Sequence, residues 1–137
     1  MKTDTPVTVL IVEDDDLVLR LLSNVLRRAG HRVVTATDGM TALSVARREL
    51  PQVVVVDVLL PAGNGLGFLE RMRSIADLST TAAIVMSGGD ADTYAYQAEA
   101  LGASFLPKPL SPAELLGAVE EALSGSSAMS VIGLASV

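Results

Sequence analysis

The chain has no cysteine, no tryptophan and a single histidine, His31. Disulfides, thiolate catalysis and cysteine-ligated zinc are therefore excluded, and a bound metal would need oxygen ligands, which suit hard cations. Basic side chains are also few: 10 Lys and Arg stand against 16 Asp and Glu, giving a net charge of −6 and a pI near 4.6. They are scattered in pairs such as Arg27-Arg28 and Arg47-Arg48, which argues against a surface that holds a phosphate backbone. No run approaches the roughly 18 consecutive apolar residues of a membrane span, and the opening residues Met1 to Pro6 lack the apolar core of a signal peptide. A cytoplasmic location without a membrane or nucleic-acid partner is expected.

What is present fits one domain: 137 residues, half of them hydrophobic (50%), with a mean hydropathy of +0.46, enough to bury a sizeable core. Apolar runs recur at Val7–Val12, Arg32–Ala36, Gln52–Val56, Ala82–Met86 and Ser104–Leu106, and helical patterns lie between them. Val18, Leu21, Leu22, Val25 and Ala29 form a stripe closed by Gly30. Asp38 can cap a second helix with Leu43, Ala46 and Leu50 on its apolar face, and Leu69, Met72 and Ile75 mark a third helix beginning at Gly65. Asp90 to Leu101 is a thinly packing fourth helix with Tyr94, Ala98 and Leu101 on one face. Ser111, Pro112 and Glu114 spell the capping box of a fifth, ahead of Leu115, Leu116, Val119 and Leu123.

Five βα units predict an α/β fold: a flavodoxin-like, doubly wound (βα)5 sandwich with a five-stranded parallel sheet of order 2-1-3-4-5 and helices on both faces. In that order strands one and three are neighbours. Asp57 ends the run Val53-Val54-Val55-Val56, and Leu10-Ile11-Val12 breaks into Glu13-Asp14-Asp15-Asp16, so acids converge at the carboxyl edge where such sheets bind ligands. Convergence of like charges costs several kcal/mol unless a cation or a proton relieves it.

Glu13-Asp14 after strand one, Asp57 after strand three, Ser87 after strand four, Phe105 in strand five and Lys108-Pro109 after it resemble, in order and spacing, the receiver domains of response regulators in bacterial two-component signalling. The resemblance covers residues 7–124, leaving 1–6 as an N-terminal tail. It implies that Asp57 is the phosphoacceptor, accepting a phosphoryl group from a histidine kinase or histidine phosphotransfer protein, and that the domain is a regulatory phosphoacceptor, not an enzyme. It implies Mg²⁺, for which Mn²⁺ could substitute, bound by Asp14, Asp57, Glu13 through water and the Leu59 backbone carbonyl. Lys108 and Ser87 would contact the phosphoryl group, Phe105 would be the switch aromatic, and Pro109 would follow a cis peptide bond that shapes the loop. Output to a downstream effector, or a homodimer, would use the face of the fourth helix, fifth strand and fifth helix, including Tyr94 or Tyr96.

Blander readings stand beside these. Asp15 or Asp16 simply caps the first helix, and Phe105 could be ordinary core. A haloacid-dehalogenase-like phosphatase needs a second Asp where Leu59 stands, and a dinucleotide-binding domain needs its glycine cluster after strand one, whereas Gly63, Gly65 and Gly67 follow strand three. The remaining alternative is a pseudo-receiver, a protein-interaction module that is not phosphorylated. Leu59 and Gly89 stand where side chains influence water access to an acyl phosphate, and Asn64 and Leu110 depart from the residues frequent in the family. Residues 125–137 carry no charge and no helical period, which predicts a tail or linker; the other reading docks Val131, Ile132, Leu134 and Val137 as an apolar strip.

Overall fold

The computed structural model describes residues 6–89 and 91–135, with backbone alone at 91–92 and 125–135. Five strands, β1 (Thr8–Val12), β2 (Arg32–Ala36), β3 (Val53–Asp57), β4 (Ala82–Ser87) and β5 (Ser104–Pro107), alternate with α1 (Asp16–Arg28), α2 (Gly39–Glu49), α3 (Gly65–Arg73), α4 (Ala91–Ala100) and α5 (Pro112–Ala135). All pairings are parallel and the order is β2-β1-β3-β4-β5. The expected flavodoxin-like arrangement is therefore present. A short 3₁₀ turn, Ala76–Leu78, separates α3 from β4.

Pleating divides the core. Val9, Ile11, Val53, Val55, Ile84 and Met86 pack with Leu22, Leu26, Leu115 and Val119 of α1 and α5. Leu10, Val12, Val54, Val56 and Val85 pack with residues of α2, α3 and α4 on the other face. The four central valines are wholly buried, which explains why β3 reads as a continuous apolar run and not an alternating one. Burying each such side chain is worth roughly 1.5–3 kcal/mol.

Helix starts are locally encoded. Asp15 Oδ1 accepts from Leu17 N and Val18 N at 3.0 and 3.1 Å, Asp38 Oδ1 from Thr41 N at 2.7 Å, and Asn64 Oδ1 from Gly67 N at 2.8 Å. Ser111 and Glu114 close a reciprocal capping box at 3.0 and 3.1 Å. Asp15 is thus the cap of α1, and Asp16 opens its first turn.

Two expectations need correction. Leu21 is 56% exposed and Leu26 fully buried, so the inward face of α1 is rotated from the stripe drawn through Leu21. Leu50 is 52% exposed because it ends α2 in the left-handed region (φ 46), while Ala42, Val45 and Ala46 face the core. The backbone of α5 remains helical to Ala135, through the start of the expected tail or linker at 125. Ser, Ala and Met are permissive helix residues, and adding residues to an existing helix avoids the cost of nucleation. The tail at Met1–Thr5, the helix start at Asp90 and the side-chain strip of Val131, Ile132, Leu134 and Val137 lie outside the described residues. No helix among the described residues is long and apolar enough to cross a membrane.

His31 is buried between α1 and β2, and its Nδ1 accepts from Val7 N at 3.2 Å. Burial lowers its pKa, against the opposing charge of Glu120. The folded state therefore favours neutral His31, so its contribution to stability is complete above the ordinary value of about 6.5 and declines as pH falls through it. Between about pH 7.5 and 5.5 the parent should lose more stability than His31→Asn, which keeps an acceptor near Nδ1; denaturant unfolding at both pH values measures the difference.

Candidate functional site

Strand parity aims three side chains to the same side. Ile11, Val55 and Leu106 pack on the α1/α5 face, and two residues further along each strand direction stand Glu13, Asp57 and Lys108. Successive side chains of a strand alternate faces, so the three share the phase of those core residues as they reach the carboxyl edge. The register sets Val12 against Val56 and Asp57 against Met86, which places the β1 and β3 ends side by side. Lys108 reaches them from beyond β4, its backbone anchored by donation from Lys108 N to Ser87 O at 2.9 Å. The Lys108-Pro109 peptide bond is cis.

Lys108 Nζ donates to Asp57 Oδ2 at 2.7 Å and lies 2.6 Å from Glu13 Oε1. The one ammonium is thus shared between the two carboxylates, and the buried Glu13 Oε1 has Lys108 as its charge-assisted partner. Glu13 Oε2 accepts from Asp15 N at 3.0 Å, and Asp57 Oδ1 accepts from Leu59 N at 3.1 Å. Burial pushes the Glu13 carboxyl above its ordinary range; the Lys108 ammonium and the Asp15 amide oppose that, and the Asp57 charge reinforces it. Burial alone would lower the Lys108 pKa, but its contacts with Asp57 and Glu13 outweigh burial and raise it. The lysine stays an ammonium.

A divalent cation fits this donor set. Glu13, Asp14 and Asp57 offer carboxylate oxygens all within 4.8 Å of one another, and Asp14 is exposed toward solvent. Hard oxygen ligands with an open, watered side suit Mg²⁺. The lone ammonium leaves the negative charge of the cluster only partly neutralised.

Ser87 is 1% exposed, and its Oγ accepts from Gly89 N at 3.0 Å, which ties the hydroxyl to the loop before α4. Phe105 is half-buried and packs against the α2/α3/α4 core, so it is neither fully sealed nor projecting. Of the two tyrosines left open by spacing, Tyr96 is 76% exposed and Tyr94 is half-buried. Leu59 is 59% exposed.

Two glycines escaped the sequence reading as parts of this site. An ideal Cβ at Gly65 would fall 2.0 Å from Asp57 O, and one at Gly39 would fall 2.4 Å from Gly63 O. Both follow a capping residue, in the pairs Asp38-Gly39 and Asn64-Gly65. The pairs were visible, but the backbone they press against is distant in sequence.

Comparison with known proteins agrees with the geometry. The family model of the response regulator receiver domain matches residues 9–120. PilH of Pseudomonas aeruginosa is 30% identical over 85% of this chain and 98% of its own length. The alkaline phosphatase synthesis transcriptional regulatory protein PhoP of Bacillus subtilis is 31% identical over 84% of this chain and 48% of its own. The high-resolution structure of the chemotaxis response regulator CheY4 of Vibrio cholerae superposes with a TM-score of 0.80 at 28% identity, over 86% of this chain and 99% of that one. The chain spans 30% to 48% of the length of many curated relatives it matches. With the model covering most of its length and the acidic pocket and lysine meeting at the β1, β3 and β5 ends, the chain belongs to the response regulator receiver domain family.

Proposed function

We propose that this domain is a phosphorylation-activated switch in which Asp57 accepts a phosphoryl group from the phosphohistidine of a histidine kinase or phosphotransfer protein. The observation that carries the reading is the Lys108 ammonium held 2.7 Å from Asp57 Oδ2 and 2.6 Å from Glu13 Oε1. A carboxylate oxygen of Asp57 attacks phosphorus, the phosphorus–nitrogen bond breaks, and the electron pair leaves with the imidazole. The product is an acyl phosphate. Lys108 supplies a fixed positive charge to the phosphoryl oxygens, whose charge is spread in a loose transition state. Asp14, Asp57, Glu13 and the Leu59 carbonyl would hold Mg²⁺, which would supply further positive charge against the phosphoryl oxygens. The chain's catalytic role is confined to assisting its own phosphorylation and dephosphorylation.

Ser87 links chemistry to output. When its hydroxyl turns toward the phosphoryl group, the hydrogen bond from Gly89 N must break or follow, so the loop leading to α4 moves. Phe105 packs beside that path, and the exposed Tyr96 presents the changed α4-β5-α5 face to an effector protein or a second copy.

Incubation with a small acyl-phosphate donor and Mg²⁺ should add one phosphoryl group by intact mass; Asp57→Asn and chelator should each abolish it. No addition to the parent would favour the pseudo-receiver reading. Asp14→Ala should weaken Mg²⁺ binding by at least about tenfold in calorimetric titration. Lys108→Met leaves two buried carboxylates without their cation and should cost about 3 kcal/mol of stability in chelator, with partial recovery in Mg²⁺, as read by denaturant unfolding.

A further inference from the structure

Helix α2 contributes no side chain to the acidic pocket, yet its amino end bears on the loop that leaves Asp57. Gly39, its first residue, is buried, and Gly39 N donates to Pro61 O at 3.4 Å. A Cβ at Gly39 would lie 2.4 Å from Gly63 O and 3.1 Å from Ala62 O. On the facing side, Ala62 (φ 49) and Gly63 (φ 93) are both left-handed, the turn that brings these carbonyls to α2. A non-glycine residue in that region costs about 1–2 kcal/mol and persists where its surroundings hold it.

The ends of the loop are tied independently. Leu59 N donates to Asp57 Oδ1 at 3.1 Å, Gly65 N to Val58 O at 2.9 Å, and Asn64 caps α3. Its outer turn rests on α2, which is anchored by buried Ala42, Val45 and Ala46 and capped by Asp38. Relieving a 2.4 Å contact to an ordinary separation of roughly 3.5 Å takes about 1 Å of movement. Mg²⁺ holds its ligands at about 2.0–2.1 Å in near-octahedral geometry, so a shift of the Ala62 and Gly63 carbonyls that passes back along the loop to the Leu59 carbonyl forfeits affinity.

We infer that Gly39 is a positioning residue for the divalent-cation site: its missing side chain lets α2 seat residues 59–63 so that the Leu59 carbonyl completes the ligand set. This rests on the Mg²⁺ reading given above for Asp14 and Asp57. The control is Ala42→Gly, which weakens the same helix without adding an atom against the loop.

Calorimetric Mg²⁺ titration of the full chain, paired with thermal unfolding in chelator, provides the test. Gly39→Ala should raise the Mg²⁺ dissociation constant about tenfold, while Ala42→Gly lowers the unfolding temperature with Mg²⁺ affinity unchanged. Gly63→Ala, whose Cβ meets nothing within 4 Å but strains the same turn, should also weaken Mg²⁺ binding and serves if Gly39→Ala does not fold. Parent-like affinity in the folded variants, or an equal loss in Ala42→Gly, overturns the positioning role while leaving the cation site intact. A parent that binds no Mg²⁺ overturns both the inference and the reading beneath it.

Discussion

One ammonium between two buried carboxylates is the constraint around which this domain is arranged. Glu13 and Asp57 are almost inaccessible, Asp14 adds a third acid at the rim, and Lys108 is the cation that meets the buried pair. Buried charges lose hydration that a single partner replaces only in part. The raised pKa of Glu13, set by its burial against the one shared ammonium, is a sign of that shortfall. A site short of positive charge favours a divalent cation, and one already holding a directed ammonium favours a ligand with anionic oxygens.

The fold makes this juxtaposition from distant parts of the chain. Strand order puts β1 beside β3, but β5 is separated from β3 by β4, a gap of about two strand spacings, near 10 Å. Lys108 bridges it because its side chain is long and because the chain after Ser87 is bare. At Gly88 an ideal Cβ would stand 3.7 Å from Lys108 Cβ, an ordinary van der Waals separation, so the lysine stem runs directly beside this glycine. The same stretch carries the Ser87–Gly89 hydrogen bond, so the gap crossed by the lysine is also where movement can pass to α4. With Ala98 its fully buried apolar contact among the described residues of the helix, α4 is lightly held.

Much of this was legible because it depends on short-range pattern. The valine run of β3, the acids after Val12 and the capping residues Asp38 and Ser111 each encode local structure, and the βα alternation then fixes the strand order. Less legible features needed the third dimension. Leu21 and Leu50 look like core by spacing but face solvent, since α1 buries Leu26 and α2 ends in a left-handed residue. The uncharged residues after Ser124 lack an apolar period, yet helix backbone requires only permissive residues. Gly39 and Gly65 read as helix-start residues, whereas their closest neighbours belong to the loop after β3 and to Asp57 itself. The tyrosines could be told apart only by exposure.

The most direct test is a crystal structure of the domain with Mg²⁺ and a tetrahedral phosphoryl mimic such as beryllium trifluoride. The account predicts the mimic on a carboxylate oxygen of Asp57, the cation between Asp14 and Asp57, and Lys108 Nζ drawn from Glu13 onto the mimic, with Ser87 Oγ turned toward it. A structure in which the mimic is absent from Asp57, or in which Lys108 still bridges Glu13 and Asp57 with the mimic bound elsewhere, would contradict it.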